Sequence, residues 1–204
     1  MTGNNEHTST RLQQQLAFVR EVDGLKHVLR RTWLLDGSRL ENDAEHSWHL
    51  ALMGLLLPEY ATEEIDVLRV MKMVVIHDLV EIDAGDTYAY DSAGRVTQAE
   101  RERRAADRLF ALLPADQGRQ VRALWEEFEA RETAEARYAA ALDCFQPMMH
   151  NYFTEGRAWI QHGITADQVM ARCRPIADGA PGLWQYAQQL IADAVTRGYL
   201  APPR

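Results

Sequence analysis

Wherever apolar residues recur in this chain they recur every three or four positions, and no stretch alternates with period two. That spacing suits helices buried along one face and leaves no strand from which to build a sheet. Over residues 11–22, Leu12, Leu16 and Val19 form the stripe. Asn42 and Glu45 stand three apart before the next apolar run, the spacing of a capping box, which predicts a helix over 44–57 stopped by Pro58. A third helix is expected over 63–82, with Leu68, Met71, Val75 and Leu79 on one face and Gly85 near its end. Residues 86–96 read as a loop. Thr97 and Glu100 repeat the capping spacing and open a helix to Leu113, where Pro114 ends it. Val121, Leu124, Trp125 and Phe128 mark another helix, and Thr133 caps an alanine-rich one that Pro147 must disturb. The last runs over 181–197, with proline at its start and Gly198 just past its end. The expected fold class is all-α, a helical bundle. The 204 residues suit one domain, with a core over about 11–155, a helical tail over about 160–204 and a frayed polar start over the first ten.

The formal charge of −8 disfavours binding to duplex nucleic acid or anionic lipid. An anionic substrate therefore needs a local cation to draw it in. Cys144 and Cys173 are too few for a disulfide framework and read as reduced thiols. No apolar run approaches 18 residues, and the N-terminal MTGNNEHTSTRLQQQL has no signal pattern, so no membrane association and a cytoplasmic location are expected.

His77 and Asp78 interrupt an otherwise apolar helix in MVVIHDLVEIDAGD. Burying an ionised carboxylate costs several kcal/mol unless something compensates it, and a metal does so directly. Glu81 follows Asp78 by three positions and shares the face of this pair, and Asp83 and Asp86 come next, so four carboxylates fall within nine residues. Such a His-Asp pair alone is more often a satisfied pair or an exposed face than a ligand set. His46, in AEHSWHLALM, and Asp143, in AALDCF, are further ionisable residues in apolar helical settings. Two histidines and two carboxylates suit a borderline or hard divalent ion. His150 reads as structural, His49 as a residue that packs or supports the site from behind, Cys144 as core with its thiol turned from the site, and the mixed-sign run at 101–104 as a solvated face.

His46, His77–Asp78 and Asp143, in that order on separate helices, resemble the signature of the HD-domain metal-dependent phosphohydrolases. LKHVLRRTW (25–33), ENDAEHSW (41–48), IHDLVEIDAGD (76–86) and LWEEFEARETAEARYAAALD (124–143) are similar to the branch with the YfbR-type 5′-deoxynucleotidases, over about residues 11–155. The resemblance implies an HD-domain helical bundle that hydrolyses nucleoside 5′-monophosphates, as a homodimer. Its ligands for one divalent metal, whether manganese, cobalt, iron, nickel, zinc or magnesium, are His46, His77, Asp78 and Asp143. It implies that Glu81 orients or activates a water and that Asp86 serves as a general acid or base near the leaving oxygen. An arginine, Arg30 or Arg31 with the spacing favouring Arg30, contacts phosphate, and Trp33 packs on the nucleoside. Another small phosphate ester, a nucleoside triphosphate, a cyclic nucleotide, or a non-catalytic nucleotide-binding module are the competing readings. The stripe Leu183, Tyr186, Leu190 and Ile191, with Trp184 beside it, is large enough to be covered by a second subunit or by its own bundle.

Overall fold

The computed structural model describes residues 3–203. Helix α1 (Gly3–Glu21) begins well before residue 11 and passes through a 3-10 turn (Val22–His27) into two strands, β1 (Leu29–Trp33) and β2 (Leu40–Asn42). This antiparallel hairpin corrects the expectation of no sheet. Its register shifts between the pairs Leu29–Asn42 and Trp33–Leu40, and the polar run Arg30, Arg31 and Thr32 fills the middle of β1. A ladder this short, with an irregularity in it, carries no period-two signal.

Helix α2 (Asp43–Leu56) starts at the expected capping box, with Asn42 accepting from the Glu45 N–H and Glu45 accepting from the Asn42 N–H. Helix α3 (Val67–Ile76) is capped by Asp66. The single helix expected over 63–82 is broken: His77–Val80 form a 3-10 turn, and a short α4 (Glu81–Ala84) follows, ended by Gly85 at φ 74°. The break has a packing cause. Met73 and Val74 sit in the main core, whereas Leu79 and Val80 belong to a second core with Leu25, Ala106, Leu109, Phe110 and Trp125. On a straight helix the two pairs would face about 120° apart, a direction set by the helical period and not by the two cores. The turn re-aims the chain and leaves His77 and Asp78 between the two cores.

Helix α5 (Ser92–Phe110) starts five residues before Thr97 because the Asp91 carboxylate accepts from the N–H groups of Ala93 and Gly94. That cap satisfies two orphan donors and outweighs the roughly 1 kcal/mol cost of a helical glycine. Helix α6 (Ala115–Ala130) ends at Arg131 in the left-handed region, and α7 (Ala134–Phe153) is capped by Thr133 as expected. Pro147 lies inside α7 and has no N–H to give the carbonyl four residues back, which is that of Asp143. Three short helices that periodicity did not mark follow: α8 (Arg157–His162), α9 (Ala166–Arg172) and α10 (Arg174–Gly179). Helix α11 (Pro181–Thr196) closes the bundle.

Helix α7 is the central rod, with Tyr138, Ala139, Ala140, Ala141 and Leu142 fully buried. Its alanines let α10 approach so closely that a Cβ on Gly179 would collide with the Arg137 carbonyl. The stripe of α11 lies on this same bundle: Leu183, Leu190 and Ile191 join the main core, while Tyr186 stays 45% exposed. The stripe is thus covered within its own chain and gives no reason for a second subunit. Among the described residues, no helix is long and apolar enough to cross a membrane.

Candidate metal centre

Three segments bring the ionisable residues together. His46, on the inner face of α2, places Nε2 3.1 Å from Asp143 Oδ1 of α7. His77, at the helix break, places Nε2 3.8 Å from the same oxygen and 3.1 Å from Asp78 Oδ1. Asp78 Oδ2 lies 4.0 Å from His46 Nε2. The ligating atoms of His46, His77 and Asp143 all fall within 4.8 Å of one another. All four residues are buried.

The donor set fits a divalent ion. The Val74 carbonyl, 2.8 Å from His77 Nδ1, can only accept, so His77 donates from Nδ1 and its Nε2 is the nitrogen left to ligate, once a cation takes the place of a proton there. That Nε2 is buried with no hydrogen-bond partner, since Asp78 is near it but outside hydrogen-bonding geometry. Burial, then the Arg30 charge, pushes His46 down to about 4, which leaves it neutral and able to ligate. Burial also opposes a charged His77, yet Asp78 and Asp143 outweigh it and push that imidazole up to about 10. Asp143 is held well below the usual carboxylate range despite its burial, chiefly by His46 and His77. Two carboxylates converging on two imidazole nitrogens call for a cation at this point, and imidazole with carboxylate suits a borderline or hard one.

The acids lie alongside. Glu81 is buried, its Oε2 has no partner, and desolvation followed by the charges of Asp78 and Asp43 raises its pKa well above the usual range. Burial also raises Asp86. Asp43 was missed in the sequence, where a helix-starting acid reads as a complement to the helix dipole. It is fully buried and brings one oxygen within 4.8 Å of Asp78 and Glu81. Burial pushes it up to about 7. Arg30 Nη1 donates to both Asp43 Oδ1 (3.1 Å) and Asp78 Oδ2 (2.9 Å), and its Nε lies 3.8 Å from Glu41. Arg30 is therefore already engaged in holding a candidate ligand.

Beside these groups opens a cleft of about 190 Å³, lined by Arg30, Arg31, His77, Asp78, Glu81, Asp86 and Asp143 on one side. Tyr88, Tyr90, Trp159 and Arg172 are among its other lining residues. Trp33 is not brought to the cleft; the Arg157 guanidinium stacks on its ring at 3.3 Å. The aromatic wall comes instead from the segment after Asp86 and from α8, where lone aromatics gave no signal. Cys144, expected to turn away, lines the cleft and its Sγ accepts from Arg172 Nη1 at 2.8 Å. Both cysteines are free and buried. The run at 101–104 is not uniformly solvated: Arg101 donates to the Ala84 carbonyl and to Thr87 Oγ1, flanking the Gly85–Asp86 segment, and Glu102 is buried.

Helical throughout its core, with two histidines and two aspartates gathered from three segments, the molecule has the architecture of a metal-centred helical bundle. The chain belongs to the HD-domain family, whose model matches residues 22–184. A crystal structure from Magnetospirillum magnetotacticum, of a predicted metal-dependent phosphohydrolase, is 54% identical and superposes with a TM-score of 0.91, covering 95% of this chain and 97% of that one. A conserved hypothetical protein from Pyrococcus furiosus, 20% identical with a TM-score of 0.59 over 89% of this chain and 99% of that one, shares the fold. The 5′-deoxynucleotidase HDDC2 of Bos taurus is 32% identical over 129 residues, and that of Homo sapiens 30%. In each case the match takes in 63% of this chain and 62% of the relative's own length.

Proposed function

We propose that this chain is a metal-dependent phosphohydrolase that converts nucleoside 5′-monophosphates to nucleoside and phosphate. The observation that carries the reading is the convergence of His46, His77, Asp78 and Asp143 on one point at the wall of a cleft that also holds Glu81 and Asp86. The 5′-deoxynucleotidase relatives support the substrate class. A divalent ion held by these four residues would supply charge against the phosphate and lower the pKa of a water. Glu81, crowded by Asp78 and Asp43, would accept a proton from the attacking water once a cation at the site offsets those charges and leaves its carboxyl ionised. Asp86, raised by burial, delivers a proton to the 5′ oxygen as its bond to phosphorus breaks and the bond from the water oxygen forms. Arg30 keeps Asp78 aimed. Arg31 lines the same cleft, makes no ion pair among the described residues and grips the phosphate.

A phosphate-release screen over ribo- and deoxyribonucleoside mono-, tri- and cyclic phosphates tests this. Turnover concentrated on 5′-monophosphates is expected, and its absence there with turnover elsewhere sinks the substrate assignment. Within that screen, Arg31→Ala should raise KM with metal content unchanged, whereas Arg30→Ala should also lose metal. The opposite pattern would exchange the two roles. We also propose a homodimer, formed through the α2 face on which Trp48, Leu52, Leu55 and Leu56 remain exposed. Light scattering should return twice the 23.2 kDa chain mass, and a monomer at micromolar concentration would refute it.

A further inference from the structure

A buried polar group behind His46, on the side away from Asp143, has no part in the reaction above. Gln146 of α7 is fully buried and has four polar neighbours. Its Oε1 lies 3.1 Å from His46 Nδ1. Its Nε2 lies 2.7 Å from Glu41 Oε1, 3.1 Å from His150 Nε2 and 3.4 Å from His49 Nδ1.

The direction of each bond follows from what the partners are able to do. His150 Nδ1 sits 3.1 Å from the Trp33 carbonyl, which only accepts, so His150 donates there and carries a lone pair on Nε2. That lone pair needs a donor, and so does Glu41 Oε1. The atom facing both is therefore the amide nitrogen, whose two hydrogens they take. The other amide atom, facing His46, is then oxygen and can only accept. His46 must carry its proton on Nδ1 and present the Nε2 lone pair toward Asp143. His77 reaches the same tautomer through the Val74 carbonyl. Glu41, His49 and His150 stand at metal-ligand spacing, but the Gln146 nitrogen sits among them, donating to Glu41 and His150 and lying 3.4 Å from His49, so this cluster holds an amide in place of an ion.

We propose that Gln146 is the positioning residue that fixes His46 as its Nδ1–H tautomer and thereby sets metal affinity, with Glu41 and His150 keeping its amide from flipping. Without it, a buried His46 could carry its proton on Nε2 and donate to Asp143, a state unable to ligate. Partners of this kind typically contribute 10–100-fold to metal affinity. The inference rests on the metal site proposed above but not on the reaction assigned to it.

The full chain, stripped by chelation and reloaded with Co²⁺, provides the probe. Its hyperfine-shifted proton spectrum should contain two slowly exchanging imidazole N–H signals, from His46 and His77. Gln146→Met, close in volume but without the acceptor, should lose the slow His46 signal and weaken Co²⁺ binding by about 10–100-fold in chelator competition. Unchanged Co²⁺ affinity in Gln146→Met overturns the proposal. So does a wild-type spectrum with one slow N–H signal, a measurement that needs no variant to fold. A spectrum with no shifted imidazole signals overturns the metal site as well. Two signals in a protein that releases no phosphate would leave this inference standing and remove only the reaction.

Discussion

Asp143→Ala should leave a folded protein that has lost most of its metal and nearly all of its turnover. Asp143 Oδ1 is the atom on which both imidazoles converge, at 3.1 Å from His46 and 3.8 Å from His77. Removing it leaves two buried imidazole nitrogens without the carboxylate that balances a cation between them. His77, which Asp78 and Asp143 together push up to about 10, should then titrate lower. Metal analysis of the variant purified beside wild type gives the answer, with circular dichroism as the control for folding. Full metal occupancy in Asp143→Ala would remove this residue from the site.

Glu81→Gln should keep its metal and lose about 10²–10⁴-fold in kcat, the usual weight of a positioned acid or base. The substitution preserves shape and hydrogen-bonding capacity but cannot accept a proton from water. It also relieves the crowding of Glu81 with Asp43 and Asp78, so stability should hold or rise at neutral pH. The sign follows from linkage. A carboxyl whose folded pKa is raised favours the folded state while protonated, and it loses that advantage as pH climbs from the unfolded value toward the folded one. Single-turnover rates with metal content measured on the same sample separate chemistry from binding. Unchanged turnover would take Glu81 out of the mechanism.

The residues that announced themselves in the sequence were those whose local signal matched their structural duty. Asn42 and Glu45 form the capping box their spacing suggests, and the helix they start carries His46 inward. Thr133 does the same for the helix that carries Asp143. Isolated charges in apolar helices marked the four candidate ligands, because burial of charge demands a reason. What stayed hidden depended on partners remote in the chain. The turn at His77–Val80 arises because Leu79 and Val80 find a second core built largely from α5 and α6, and nothing within 63–82 reports that core. Asp43 gave a dipole-compatible signal that masked its burial against Arg30. Trp159 and Arg172 reach the cleft only because the tail folds back over the bundle. Trp33 suited the resemblance, but Arg157, more than a hundred residues away in sequence, covers its ring.

The break between α3 and α4 has a mechanical consequence. Because the pair His77–Asp78 is suspended between two separately packed bodies, its position is the sum of two placements, as a hinge pin is located by both plates that hold it. Met73 and Val74 fix one plate, and Leu79 and Val80 fix the other. His46 and Asp143 ride on helices whose buried apolar residues lie in the first plate, with Ala44 of α2 alone touching the second. A change of side-chain volume at Leu109 or Phe110, deep in the second body, therefore shifts one half of the ligand set against the other. A misplacement of about 1 Å at reacting groups can cost on the order of 10²-fold in rate. The tolerance of this centre is thus set as much by how well the two bodies register as by the residues that line it.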